Sequence, residues 1–303
     1  VTARFTDGYA AGAPPLQRAL QAFRDEAEGT DDEIMRWLWL ACPVAPEPVA
    51  PDLWDDDTWH ELATRAVRLA REAGALTVLP IALVYLAGVH VHAGEFAAAS
   101  ALIEEAEVVT AATGNAPLRY TSLLLVAWRG HEARALELIE ADVRDAAARG
   151  EGRVLGLAGY VTAVLYNGLG RYDDALAGAQ RACEHEDLGF FGWSLAELVE
   201  AAARSDAPDL AAAALASLEE RTRAAGTDWA LGVQARSRAL LSDVVDQLRL
   251  DPGTASPRLV DDVAVDVHRT ILELERRILP ELQHHLDAAD DECLLAAELT
   301  ELP

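Results

Sequence analysis

The sequence contains no lysine, so every basic residue is arginine. That excludes a phosphate-loop lysine and a Schiff-base lysine from this chain. Cysteine is scarce: Cys42, Cys183 and Cys293 lie far apart, with no CxxC. No disulfide framework or cysteine metal site follows from that spacing, and the three read as buried thiols in a reducing compartment. Apolar runs of about 18 residues are absent, and no signal peptide is legible at the start, so the expected location is the cytoplasm. Positive charge is outweighed, with 25 basic against 51 acidic residues and a net charge of −26. A surface this acidic repels phosphate backbones, which excludes direct nucleic-acid binding and attachment to anionic membranes.

What the chain has in quantity is alanine, leucine and periodicity. Of 303 residues, 51% are hydrophobic, and the scarcity of β-branched residues other than valine favours helix. Three stretches align: Gly94-Glu-Phe-Ala-Ala-Ala99, Gly130-His-Glu-Ala-Arg-Ala135 and Gly170-Arg-Tyr-Asp-Asp-Ala175. Each follows an apolar helical run (residues 78–93, 118–128 and 154–169) and opens another helix. Weaker turns at Trp54 and Asp206 extend the series at the same spacing of 36 or 40 residues. A second glycine follows each turn by 19 or 20 residues, at Gly74, Gly114, Gly150, Gly189 and Gly226, where a left-handed residue ends a helix.

This period predicts tetratricopeptide-like helix pairs. The small alanine at the fifth place after the turn lets the second helix approach the first. Single pairs cannot bury their apolar faces alone, so neighbours stack. The predicted fold is all-α, a right-handed superhelix of such pairs over residues 1–243, with turns near 12, 54, 94, 130, 170 and 206. The turn near Gly12 has too little chain before it for a full first helix, and the array reads as a piece of something longer. Prolines 43, 46, 48 and 51 predict an extended loop. Residues 244–303 are expected to be a linker and C-terminal helices. Within them 259–279 is an amphipathic helix that acts as a cap or as a dimer seam.

Leu53-Trp-Asp-Asp-Asp-Thr-Trp-His-Glu-Leu62, Gly94-Glu-Phe-Ala-Ala-Ala99, Ala111-Ala-Thr-Gly-Asn-Ala-Pro117, Ala163-Val-Leu-Tyr-Asn-Gly-Leu-Gly-Arg-Tyr172, Gly226-Thr-Asp-Trp-Ala-Leu-Gly232 and Ser237-Arg-Ala-Leu-Leu-Ser-Asp243 resemble the tetratricopeptide-like region of large ATP-binding LuxR-type transcriptional regulators. The resemblance covers about residues 5–243. It implies a non-catalytic sensor region that binds a small effector, a peptide or a protein in a concave groove, without a cofactor. The chain shows no phosphate-loop motif and no basic helix-turn-helix, so ATP and DNA binding are not carried over.

The family's inward-facing places in the first helix of each pair nominate His92, Tyr120, Trp128, Tyr160 and Asn167, with Trp193 and Glu200 if the Asp206 turn is aligned. Aromatic rings with polar tips suit peptide or small-ligand recognition. Competing features read as structural. Asp55, Asp56 and Asp57 with Glu61 carry oxygens suited to Mg²⁺, the basis of an alternative helical-enzyme reading. A turn and helix N-cap is the structural reading of the same residues. His90 and His92 fall on different helix faces, a poor chelating pair. His284 and His285 read as surface residues. A second alternative is a stand-alone scaffold that homodimerises through 259–279.

Overall fold

The computed structural model describes residues 6–25, 49–115, 118–149, 152–184, 186 and 189–248. The chain divides into two compact units, Val1–Val244 and Val245–Pro303. The proposed C-terminal cap or dimer helix at 259–279 lies outside the described residues, as do prolines 43, 46 and 48.

Twelve helices are described: α1 Tyr9–Asp25, α2 Val49–Asp52, α3 Asp56–Glu72, α4 Leu79–His92, α5 Phe96–Thr113, α6 Tyr120–Trp128, α7 Glu132–Arg149, α8 Gly152–Gly168, α9 Tyr172–Ala182, α10 Phe190–Arg204, α11 Pro208–Ala225 and α12 Asp228–Leu248. No strand occurs among the described residues, so the fold is all-α there. No helix among them is long and apolar enough to cross a membrane.

Backbone conformation explains where the helices break. Gly94, Gly130 and Gly170 have φ of 79°, 69° and 70°, and the non-glycine turn residues Trp54 and Asp206 have φ of 49° and 52°. Each reverses the chain between consecutive helices. Gly74, Gly114 and Gly226 close helices with φ between 61° and 71°, and at Gly114 the following Asn115 N–H bonds back to the Thr110 carbonyl at 3.2 Å. Three expectations are corrected. Gly189 does not close a helix but stands at the N-cap of α10, with φ 99° and ψ −69°. Gly12 lies inside α1, with its N–H on the Gly8 carbonyl at 3.2 Å. The left-handed residue is Gly8, φ 94°, because buried Tyr9 and Ala13 already commit that turn to the helix. Pro51 is not in an extended loop but within the single turn of α2, where a proline's missing N–H costs no helical bond.

Packing follows the small residues. Ala99, Ala135, Ala175 and Ala211, each five places after a turn, are all 0% exposed. The contacts α4–α5, α6–α7, α8–α9 and α10–α11 form there, and α4, α6, α8 and α10 also touch in succession. In the first unit that fifth place holds Trp59. Its partner helix α2 is one turn long, so no close approach constrains the position. The indole turns to α4 instead, against Gly88, where an added Cβ would stand 2.9 Å from Cζ2.

The N-terminal segment closes the series of contacts. α1 packs on α11: the Gln17 amide donates to the Ala225 carbonyl at 2.7 Å, and the Arg221 guanidinium lies 4.6 Å from the ring centres of both Tyr9 and Phe191. The α2 turn is seated on the starts of α10 and α12. The Tyr9 hydroxyl donates to the Asp52 carbonyl at 2.5 Å, Gly189 N–H to the Asp52 carboxylate at 3.0 Å, and the Trp193 indole N–H to the Pro51 carbonyl at 3.2 Å. The Thr227 hydroxyl donates to the Trp54 carbonyl at 2.6 Å. Trp54 itself is 1% exposed and fills the space a side chain at Gly192 would occupy.

Candidate functional site

The interior between these helices is aromatic. Trp193 of α10 lies 4.4 Å from His92 of α4, 5.8 Å from Tyr160 of α8, and 6.0 Å from both Trp59 of α3 and Trp229 of α12, measured between ring centres. Trp128 of α6 meets His92 edge-on at 6.3 Å. Edge-to-face and offset contacts of this kind suit the charge distribution of aromatic rings. Four of the nominated residues, His92, Trp128, Tyr160 and Trp193, therefore converge on one centre from four helices.

The others do not join it directly. Asn167 donates to the carboxylate of Glu197 at 2.8 Å and to its carbonyl at 3.1 Å. Glu200 pairs with Arg236 and lies 3.9 Å from Arg204. Tyr120 is half-buried against the core. Burial drives the Tyr160 phenol well above its ordinary pKa, reinforced by Glu197 and opposed by the Trp128 indole N–H and by Arg236. Burial likewise raises Glu197, against the Asn167 hydrogen bond and the Arg236 charge.

At one edge of the aromatic centre is a pocket of about 250 Å³. From α3 it takes Asp56, Asp57, Trp59 and His60; from α4 Val89, His90 and His92, with Ala93 after it; from the following turn Glu95; and from α12 Trp229. The indoles of Trp59 and Trp229 lie 15° from parallel with centres 6.5 Å apart. His60 and His90 meet edge to face at 6.0 Å, and His90 Nδ1 bonds Glu95. Asp55 accepts the Thr58 N–H at 3.0 Å and so caps α3, which leaves Asp57 exposed at the mouth. Among the described residues no group of three His, Cys, Asp or Glu is placed to hold a metal ion.

Two polar atoms of the pocket residues are buried without a partner: Trp59 Nε1 and His92 Nε2. His92 Nδ1 lies 2.9 Å from the Gly88 carbonyl. A carbonyl only accepts, so Nδ1 carries the proton there and Nε2 presents a lone pair. Burial lowers the His92 pKa from 6.5 to about 4, only partly opposed by the Gly88 bond, so the ring is neutral at pH 7. Both atoms are shut off from solvent, one an unmet donor and the other an unmet acceptor, and leaving such groups unmet costs about 1–3 kcal/mol each.

Sequence reasoning missed Trp59, His60 and Trp229 as pocket residues, because the family's inward places lie on the first helix of each pair; His90, on a first helix, is read from the sequence as lying on a different face from His92, yet both line the pocket. Trp59 stands on a second helix and Trp229 starts the last one. A usable signal was Gly88, a glycine in mid-helix in an alanine-rich chain, which marks close approach by a neighbour. Comparison with protein families, with curated proteins and with solved structures finds no match to this chain.

Proposed function

We propose that this chain is the effector-binding region of a regulator of the LuxR type, a right-handed superhelix of helix pairs that binds a small molecule and catalyses no reaction. The observation that carries the reading is the pocket beside the aromatic centre, lined by His92 and by the indoles of Trp59 and Trp229. Its volume of about 250 Å³ lies below the usual ligand-pocket range of roughly 300–1,000 Å³, which favours a small effector over a peptide. Contact between α1 and α11 also favours it, since a groove closed on itself has no room for an extended chain. Walls drawn from α3, α4 and α12 give a ligand purchase on helices far apart in sequence. Occupancy then shifts their arrangement by as much as the ligand prefers one arrangement over another.

Thermal-shift measurements on the purified chain against sugars, amino acids, amines, nucleotides and pooled peptides test the proposal. A ligand at 100 times its Kd stabilises the fold by about 2.7 kcal/mol. The expected result is a small-molecule hit that Trp229→Leu abolishes. Stabilisation by peptides alone would replace the effector reading with a protein-interaction one.

A further inference from the structure

We infer, on the reading that this pocket is the effector site, that the effector is a planar aromatic molecule of one or two rings without negative charge, seated against the rings of Trp229, His60 and His90. Ring content, size and charge carry this together.

Five of the ten lining residues bear aromatic rings: Trp59, His60, His90, His92 and Trp229. Trp59 and His92 are the support. Trp59 is 7% exposed and is seated closely on Gly88. Its indole lies 15° from parallel with that of Trp229, and His92 lies 5.4 Å from Trp229 between ring centres. Trp229 is thus held by rings of the core, yet it is only half-buried, so part of its indole is left to a ligand. His60 is exposed and His90 half-buried. Their planes meet at 77°, and the bond from His90 Nδ1 to Glu95 holds the second ring in place. The three rings with accessible surface therefore come from α12, α3 and α4. A further aromatic ring meets such walls by offset or edge-to-face contacts that a saturated ring of the same size does not make, a gain of about fivefold in affinity.

Size narrows the class. An apolar cavity of about 150 Å³ takes up one benzene ring. A pocket of about 250 Å³ matches one substituted ring or two fused rings.

Charge narrows it again. Asp56, Asp57 and Glu95 line the pocket with no arginine among the lining residues, in a chain of net charge −26. That field repels an anion, so aromatic carboxylates fall outside the class.

The test titrates the whole ¹⁵N-labelled chain and reads the Trp229 indole N–H together with the backbone amide of Ala93, which also lines the pocket. Benzyl alcohol is compared with cyclohexylmethanol, its saturated counterpart, and indole with indole-3-carboxylate. Methyl glucoside stands for sugars. The expected result is a saturable shift with benzyl alcohol or indole, about fivefold weaker binding of cyclohexylmethanol, and weaker binding of indole-3-carboxylate than of indole. Trp229→Leu, read at Ala93, is expected to bring benzyl alcohol down to the affinity of cyclohexylmethanol. His60→Ala, at an exposed position, is expected to weaken the aromatic probes while leaving thermal stability unchanged. Cyclohexylmethanol or methyl glucoside binding as tightly as the aromatic probes overturns the inference and leaves the effector site standing. Binding of neither aromatic probe, with a compound of the effector screen shifting Trp229, does the same. No small compound of either set shifting Trp229 overturns the inference and the effector reading together. Aromatic binding that neither variant alters overturns the assignment to this pocket.

Discussion

Trp54→Ala is expected to destabilise the chain by about 3–5 kcal/mol, the range for deleting a buried aromatic side chain, and to split its unfolding into two transitions. Trp54 is 1% exposed and occupies the space over Gly192. Its carbonyl accepts from Thr227, and the α2 turn before it receives hydrogen bonds from Tyr9, Gly189 and Trp193. Stacked helix pairs are coupled mainly to their neighbours, so an open array unfolds by segments. The Trp54 contact joins the first unit to the last ones and adds a coupling that an open array lacks. Urea denaturation followed by both circular dichroism and tryptophan fluorescence reads this directly. Coincident curves are expected for the native chain and divergent curves for the variant. A loss below about 1 kcal/mol with coincident curves would mean that the closure contributes little.

The second large effect is pH dependence at His92. Burial holds its pKa at about 4 in the folded chain, against 6.5 for an ordinary histidine. Between those values the unfolded chain binds the proton more readily than the folded one, so stability falls as pH falls. The contribution is fully present above about pH 6.5 and is lost by about pH 4. At 1.36 kcal/mol per unit, the loss is about 3 kcal/mol. Asp56, Asp57, His60, His90 and Glu95 share the pocket, and Glu197, raised by burial, acts in the opposite direction. These groups are common to the native chain and to His92→Phe, so the difference between their stability curves isolates the imidazole. The native curve is expected to fall more steeply between pH 6.5 and 4. Parallel curves would show an imidazole that titrates as if in water.

Helix content and turn positions were legible because they depend on local chemistry. Glycine two residues before a helix start and alanine five places after the turn are signals confined to a few residues. The places that the family resemblance nominated bring His92, Trp128, Tyr160 and Trp193 to one aromatic centre, but of these only His92 lines the pocket. Closure was not legible. It rests on pairs such as Trp54 with Gly192 and Gln17 with Ala225, whose complementarity exists only once five turns have been stacked. Trp59 was hidden for a related reason: at the small-residue place of its unit it breaks the pattern, and only Gly88 on the facing helix shows why it is tolerated. The Gly12 turn was misread because two prolines resemble a helix start, whereas α1 carries both Pro14 and Pro15 inside.

The effector reading rests on occupation of the pocket between α3, α4 and α12. The most direct measurement is the ¹H–¹⁵N spectrum of the tryptophan indoles during titration with compounds from the effector screen, each resonance assigned by its Trp→Phe variant. Trp229 is half-buried and lines the pocket, whereas Trp54 is 1% exposed and does not line it. The expected result is one small compound that shifts the Trp229 resonance saturably while Trp54 moves little. A compound that stabilises the fold while the Trp229 resonance stays in place would contradict the reading.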